Sequence, residues 1–167
     1  DGTEVGVSGV TVQLWRDTNA TPGLQVTGGT PDTLMDTDTT DATGYYLFER
    51  LQPASDYFVY IPAANFTGAG ALVNFLSSTD AAAPADDFID KNDNGIDTPT
   101  PSTTGVSSPQ ISMSYNGEPL TPANETDINI SGTYGPLNVG NYGQQDGDSN
   151  LTIDFGFVRP PRSIGNR

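Results

Sequence analysis

The sequence contains no cysteine and no histidine, and Lys91 is its only lysine. The first two absences exclude a thiol nucleophile, a histidine general base, an ordinary zinc site and any disulfide framework. No G-x-x-x-x-G-K-[ST] phosphate loop is present. An enzyme would need paired carboxylates, as in glycosidases, and no second catalytic signature accompanies the acidic residues, so we expect a protein that is not an enzyme.

Basic residues are also scarce, since 6 Lys and Arg stand against 21 Asp and Glu and the formal net charge is −15. An acidic surface is a poor partner for the phosphates of nucleic acid. Apolar runs such as Phe58–Ile61 are only a few residues long, whereas a membrane span needs about 20. We therefore expect neither nucleic-acid binding nor membrane insertion. No signal peptide is visible, which leaves a cytosolic or an already processed chain.

The residues that dominate instead are Thr, Asn, Asp, Gly and Pro, which favour turns and strands over helices. Apolar and polar residues alternate with the period of a β-strand. This alternation predicts strands at 10–15, 33–39, 45–48, 56–61, 110–115, 127–130 and 151–158, with a short one at 24–26. At about 150 residues per domain, we expect one all-β domain over residues 1–158, with a long acidic loop inserted.

That acidic loop, residues 86–97, has the most distinctive chemistry in the chain, with five acidic residues and one lysine. Two unit charges about 4 Å apart repel by about 1 kcal/mol in water and by about 4 kcal/mol at an intermediate dielectric. We expect a bound cation to hold these carboxylates together. The alternative is a solvated Asn-Gly turn inside a disordered loop.

The spacing within this loop resembles that of a calcium-binding EF-hand loop. Asp90, Asn92 and Asn94 occupy positions 1, 3 and 5, Gly95 lies at the sharp turn of position 6, and Ile96 offers the backbone carbonyl of position 7. Alternate oxygens converge when such a loop curls around a hard cation, and Ca²⁺ accepts about six to eight of them. The pattern predicts Ca²⁺ as the cofactor.

One position departs from that pattern, because position 12 is Pro101 and not a bidentate glutamate. The missing ligands must come from elsewhere, with Asp97 and Asp86 as the expected helpers. The best distant candidate is the acidic segment 146–150, for which an ordinary turn is an equally good interpretation.

Several stretches of the sequence resemble one known family, the SdrD B-like (Cna B-related) surface repeats. The matching stretches are G-V-T-V-Q-L at 9–14, T-T-D-A-T-G-Y-Y-L-F at 39–48, L-Q-P at 51–53 with Tyr57, and N-L-T-I-D-F-G-F at 150–157. The resemblance covers nearly the whole chain from Val7 to Val158.

This resemblance implies an immunoglobulin-like, transthyretin-like (prealbumin-like) β-sandwich that binds calcium. It implies an extracellular location on the bacterial or archaeal cell surface, in tandem repeats of an adhesin stalk or a filament whose modules join head to tail. Some relatives contain a Lys–Asn isopeptide bond, but the 10–15 strand has no lysine, so we expect none here.

The family pattern also bears on both ends of the chain. Relatives begin with S-I-G-x-x-V-W and then a calcium loop that ends in glutamate; here S-I-G-N-R lies at 163–167, while Asp1 and Glu4 match the last positions of that loop. The resemblance thus implies that Asp1 and Glu4 are the remnant of a second calcium site. We expect residues 159–167 to be a linker followed by the start of a next repeat or a donor segment, a frayed terminus being the alternative.

A carbohydrate-binding module is the alternative function, since calcium-binding β-sandwiches often bind glycans through stacked aromatic rings. Most aromatic residues fall at core-like strand positions. Tyr134 and Tyr142, in a glycine-rich stretch, are the best candidates for an exposed pair.

Overall fold

The computed structural model of the chain describes residues 5–19, 21–78, 93–119, 138–139, 144–160 and 164. Within these ranges the structure is mostly β-sheet, which confirms the predicted all-β class. The strands are β1 (Thr11–Arg16), β2 (Thr33–Thr39), β3 (Ser55–Ile61), β4 (Leu76–Ser77), β5 (Val106–Ser107), β6 (Ile111–Met113), β7 (Asn138–Val139), β8 (Gln144–Gln145) and β9 (Phe157–Val158). The helical elements are two 3₁₀ turns, Ala63–Phe66 and Asp146–Asp148, and the four-residue helix α1 (Pro101–Thr104). No helix in the described ranges is long and apolar enough to cross a membrane.

The largest sheet has the antiparallel order β2-β1-β3-β5, and β6 also pairs with β3. Leu14 of β1 lies opposite Val59 of β3. The register between β1 and β2 shifts between Leu14 and Trp15, an irregularity that increases the local twist of a strand pair. Two further sheets pair β4 with β9 and β7 with β8.

The core lies on one face of this sheet. The alternation predicted for the first strand is confirmed, because Val12 and Leu14 are buried while Thr11 and Gln13 are only partly so. Burying one such side chain stabilises the fold by about 1.5–3 kcal/mol. The core cluster comprises Val10, Val12, Leu14, Tyr57, Val59, Ile61, Phe66, Leu72, Val106 and Ile111.

A second layer of chain packs against this cluster. Side chains from segments 46–51 and 153–157 contact the core, and the rings of Phe66 and Phe157 meet edge to face with centroids 5.6 Å apart. The hydroxyl of Tyr46 donates to the carbonyl of Ile153 at 2.7 Å. Burial, reinforced by the charge of Asp154, raises the pKa of Tyr46.

Tyr57 fixes the turn before β3. Its side chain is 1% exposed, and its hydroxyl accepts from the Gln52 N–H at 2.9 Å and donates to the Gln52 carbonyl at 3.2 Å. Arg50 and Ala54, on either side of this turn, both have left-handed φ angles, of 63° and 55°. The hydroxyl therefore satisfies both backbone groups of one residue at a sharp bend.

The strand predictions differ in outcome. Those at 10–15, 33–39 and 56–61 are confirmed to within a residue as β1, β2 and β3, and that at 110–115 is confirmed over the three residues of β6. Those at 24–26 and 45–48 are wrong, because neither segment forms a strand. The segment predicted at 127–130 lies outside the described residues.

The last predicted strand, 151–158, forms a ladder only at β9. Its preceding backbone N–H groups bond to side chains instead of to a strand. Thr152 N–H donates to Asn150 Oδ1 at 3.1 Å, Asp154 N–H to Asn94 Oδ1 at 2.8 Å, and Gly156 N–H to Asp93 Oδ1 at 2.8 Å. Three alternate donors are thereby satisfied by side chains of the described residues.

Candidate metal-binding loop

Residues 93–97 are the described part of the predicted calcium loop, and Asn94 attaches them to the segment before β9. Asn94 is 0% exposed. Its backbone N–H donates to the carbonyl of Asp154 at 3.0 Å, and its side-chain Oδ1 accepts from the N–H of Asp154 at 2.8 Å. The predicted ligand Asn94 is thus also a structural anchor.

Asp93 is a second anchor, which the spacing argument did not identify. It has a left-handed φ of 56°. Its Oδ1 accepts from the N–H groups of Gly95 at 3.1 Å and Gly156 at 2.8 Å, and its Oδ2 accepts from the hydroxyl of Ser78. The signal in the sequence is the run Asp-Asn-Gly, because Asp and Asn tolerate left-handed backbone and bond to the N–H two residues on.

The packing at this anchor requires Gly156. A Cβ added there would collide with the Ser78 hydroxyl and lie 2.7 Å from Asp93 Oδ2. The N–H of Ser78 in turn donates to the Gly156 carbonyl at 3.0 Å. The chain segments around 78, 93 and 156 therefore meet at one crowded point.

Ile96 and Asp97 lie on the other side of this anchor. The N–H of Ile96 donates to the Ser107 carbonyl of β5 at 2.7 Å, while its side chain is 48% exposed. Asp97 is exposed and lines a cleft together with Leu24 and Tyr60. The structure thus brings the side chain of Asn94 to Asp154 and that of Asp97 to the wall of a cleft.

The other predicted ligands, Asp86, Asp90 and Asn92, lie outside the described residues, as do Asp1 and Glu4 of the second predicted site. In the parts of the chain that the structure describes, no three acidic side chains gather closely enough to hold a metal ion. The described end of the loop therefore supplies a fixed attachment and not a complete ligand set.

The distant acidic segment 146–150 is bound to another turn. Asp148 Oδ1 accepts from the N–H of Asn116 at 2.8 Å, and the carbonyl of Gly147 accepts from the N–H of Glu118 at 3.1 Å. Glu118 is 8% exposed, and its Oε1 accepts from the N–H of Ser114 at 2.6 Å. These contacts fit the interpretation of 146–150 as a structural turn.

The donor chemistry of the loop fits calcium. All the predicted side-chain ligands offer oxygen, which Ca²⁺ prefers in neutral and charged forms alike. Both carboxylate oxygens of Asp93 are hydrogen-bonded within the protein, which makes Asp93 a poor candidate for a calcium ligand.

Exposed aromatic side chains bear on the glycan alternative. Tyr115 is 73% exposed and Tyr45 is 40% exposed. The aromatic pairs found in the described ranges, Tyr46 with Phe48 and Phe66 with Phe157, pack against the core or within it. The predicted pair Tyr134 and Tyr142 lies outside the described residues.

Comparisons with known proteins found no relative of the chain. No protein-family model matches the chain, and no curated protein and no solved structure matches it.

Proposed function

We propose that the chain is a non-enzymatic structural module, an immunoglobulin-like β-sandwich that Ca²⁺ rigidifies. It belongs to an extracellular stalk, adhesin or filament on a bacterial or archaeal cell surface, in which such modules join head to tail. The sequence resemblance supports the extracellular location in joined modules. The geometry around residues 93–97 supports calcium binding by the acidic loop.

The observation that carries the proposal is the double attachment of the loop end. Asp93 and Asn94 bind Gly156 and Asp154, 63 and 60 residues away along the chain. Ser78 contacts Asp93 and Gly156 as well, so the described residues on either side of 79–92 are held together, and a cation that neutralises Asp86, Asp90 and their neighbours lowers the repulsion among these charges. The bound ion then connects the loop to the sandwich.

Two contacts support the proposal of an immunoglobulin-like β-sandwich. Tyr57 resembles the tyrosine corner of immunoglobulin-like sandwiches, in which a buried tyrosine hydroxyl bonds to backbone a few residues upstream. The contact of Phe157, in the small β4–β9 sheet, with Phe66 of the core supports packing of that sheet against the core of the larger one.

Thermal unfolding in CaCl₂ and in chelator tests the proposal. A ligand that binds only the folded state at a hundredfold excess over its Kd stabilises by about 2.7 kcal/mol. For a chain of this length that corresponds to a rise in Tm of roughly 5–11 °C. We expect Asp90→Ala to abolish this rise and to leave the Tm in chelator almost unchanged.

Asp36→Ala is the matched control. It removes one exposed aspartate from β2, outside the loop, and should keep the calcium response. A substitution of Asn94 is unsuitable for testing calcium binding, because its side chain holds Asp154 whether or not a metal is bound. Equal Tm values in CaCl₂ and chelator for the parent protein would refute the bound-ion proposal.

A further inference from the structure

A cleft lies beside Tyr60, and two of the residues that line it, Ile96 and Asp97, are also predicted calcium ligands. It has a volume of about 210 Å³ and is lined by residues from four chain segments, among them Leu24, Val26, Tyr60, Ile96, Asp97 and Thr104. We refer to it as the Tyr60 cleft. Its size suits one long side chain and not a folded domain.

The floor of the Tyr60 cleft is held in place. The hydroxyl of Tyr60 donates to the carbonyl of Thr104 at 2.9 Å. Gly105 has a φ of 69°, and a Cβ there would collide with the Tyr60 ring and with the carbonyl of Ile61. The hydroxyls of Thr98 and Thr104 lie 3.0 Å apart. A ligand therefore meets a preformed surface.

The chemistry of the lining favours a cation on an apolar stem. Leu24, Val26 and Ile96 supply aliphatic walls, and the Tyr60 ring supplies an aromatic one. Asp97 is exposed, and among the described residues no hydrogen bond or ion pair reaches its carboxylate. In a chain of net charge −15, an anion is repelled from this place, whereas a guanidinium both pairs with a carboxylate and stacks on a ring.

The same chain contains a segment with that chemistry. All 21 acidic residues precede Arg159, while three of the six basic residues lie in the last nine positions, R-P-P-R-S-I-G-N-R. Arg159 is already placed over the Phe75 ring, 4.8 Å from its centroid. Arg162 and Arg167 lie outside the described residues and are the candidates for an external carboxylate. Ile164, between them, is fully exposed.

We propose that the Tyr60 cleft receives an arginine side chain, Arg162 or Arg167, from the C-terminal segment of a second copy of this chain. This inference names the contact for the proposed head-to-tail joining and rests on that part of the proposed function, but not on the calcium ion. The stem packs on Tyr60 and Ile96 while the guanidinium pairs with Asp97. The contact has one donor end and one acceptor end per copy, so it is a head-to-tail contact, which generates an open row of modules wherever the rotation between copies does not close a ring.

Binding of a labelled peptide of residues 159–167 to the intact chain, measured by fluorescence anisotropy, tests the contact. We expect binding that weakens with NaCl and that falls about two- to fivefold in Asp97→Asn, the range for an exposed ion pair. Asp97→Lys should abolish it, and so should replacing both Arg162 and Arg167 by glutamine in the peptide. Asp36→Lys makes the same charge change on β2 and should reduce binding much less.

Sedimentation of the whole chain, with and without chelator, completes the test. Because Asp97 is also a predicted calcium ligand, the measurement in chelator is decisive: concentration-dependent association that Asp97→Lys removes there supports the contact independently of the calcium proposal. Equal losses of association in Asp36→Lys and Asp97→Lys would mean general attraction between charges and would overturn the proposed contact. So would a monomer whose own C-terminal segment occupies the cleft, or peptide binding that does not depend on the arginines.

Discussion

Single aspartate side chains fix several turns of this protein, and Asp41 is the clearest case. Its Oδ1 accepts from the Thr43 N–H and hydroxyl, both at 2.7 Å, and from the Tyr45 N–H at 3.1 Å. Asp and Gly favour turns such as that at 41–44, where Gly44 has a positive φ of 94°. The run Asp-Asn-Gly indicates the local turn at Asp93, but its contacts with Ser78 and Gly156 were not predictable, because these partners are distant in the sequence.

Asp41→Asn should change the pH dependence of stability. The hydrogen bond from the Thr43 side chain, together with those from backbone N–H groups, lowers the pKa of Asp41 below 3.8. The ionised form therefore stabilises the folded state above about pH 4, and this contribution disappears as the pH falls through the lowered pKa. Urea unfolding between about pH 6 and pH 2 should show the variant losing less stability than the parent on acidification. Parallel pH profiles would contradict this role.

Among the elements, the segment before β9 shows how an alternation can correctly predict the buried face while the strand predicted from it does not form. Its alternation of Ile153, Phe155 and Phe157 predicts packing on the core, and these side chains do pack there. Ladder formation needs partner backbone as well, and here the oxygens of Asp93 and Asn94 accept instead. Periodicity records which face is buried, whereas the hydrogen-bond partner lies 60 residues away.

Gly156→Ala tests the hydrogen bonds between the segment before β9 and the side chains of Asp93 and Asn94. The added methyl group would overlap Ser78 and crowd Asp93, and overpacking of this kind costs about 1–3 kcal/mol. Chemical denaturation should show that loss with and without calcium. Gly29→Ala is the control, because a Cβ at Gly29 meets nothing within 4 Å and Gly29 has no positive φ. Equal stability of the two variants would mean that the crowded point relaxes at little cost.

For the whole molecule, composition determines the fold class and the sign of its electrostatics, while the metal site depends on residues brought together in space. The scarcity of helix formers predicted the all-β class that the strands confirm. Of the predicted calcium ligands, Asn94, Ile96 and Asp97 are described, and each has a different neighbour: Asp154, Ser107 and the Tyr60 cleft. Spacing along a loop cannot reveal that a candidate ligand is also bound by another segment.

The net charge of −15 predicts how the Tm of the whole molecule depends on salt. Like charges destabilise a compact chain through self-repulsion, and raising NaCl from about 10 to 150 mM shortens the screening length from about 30 to about 8 Å. In chelator, the Tm should therefore rise gradually with NaCl and should not saturate at a stoichiometric amount. Calcium bound at a site should instead act at micromolar to millimolar concentration in a background of constant NaCl, and the rise should level off once the site is filled. A calcium response that vanishes in 150 mM NaCl would mean that the ion merely screens the acidic surface.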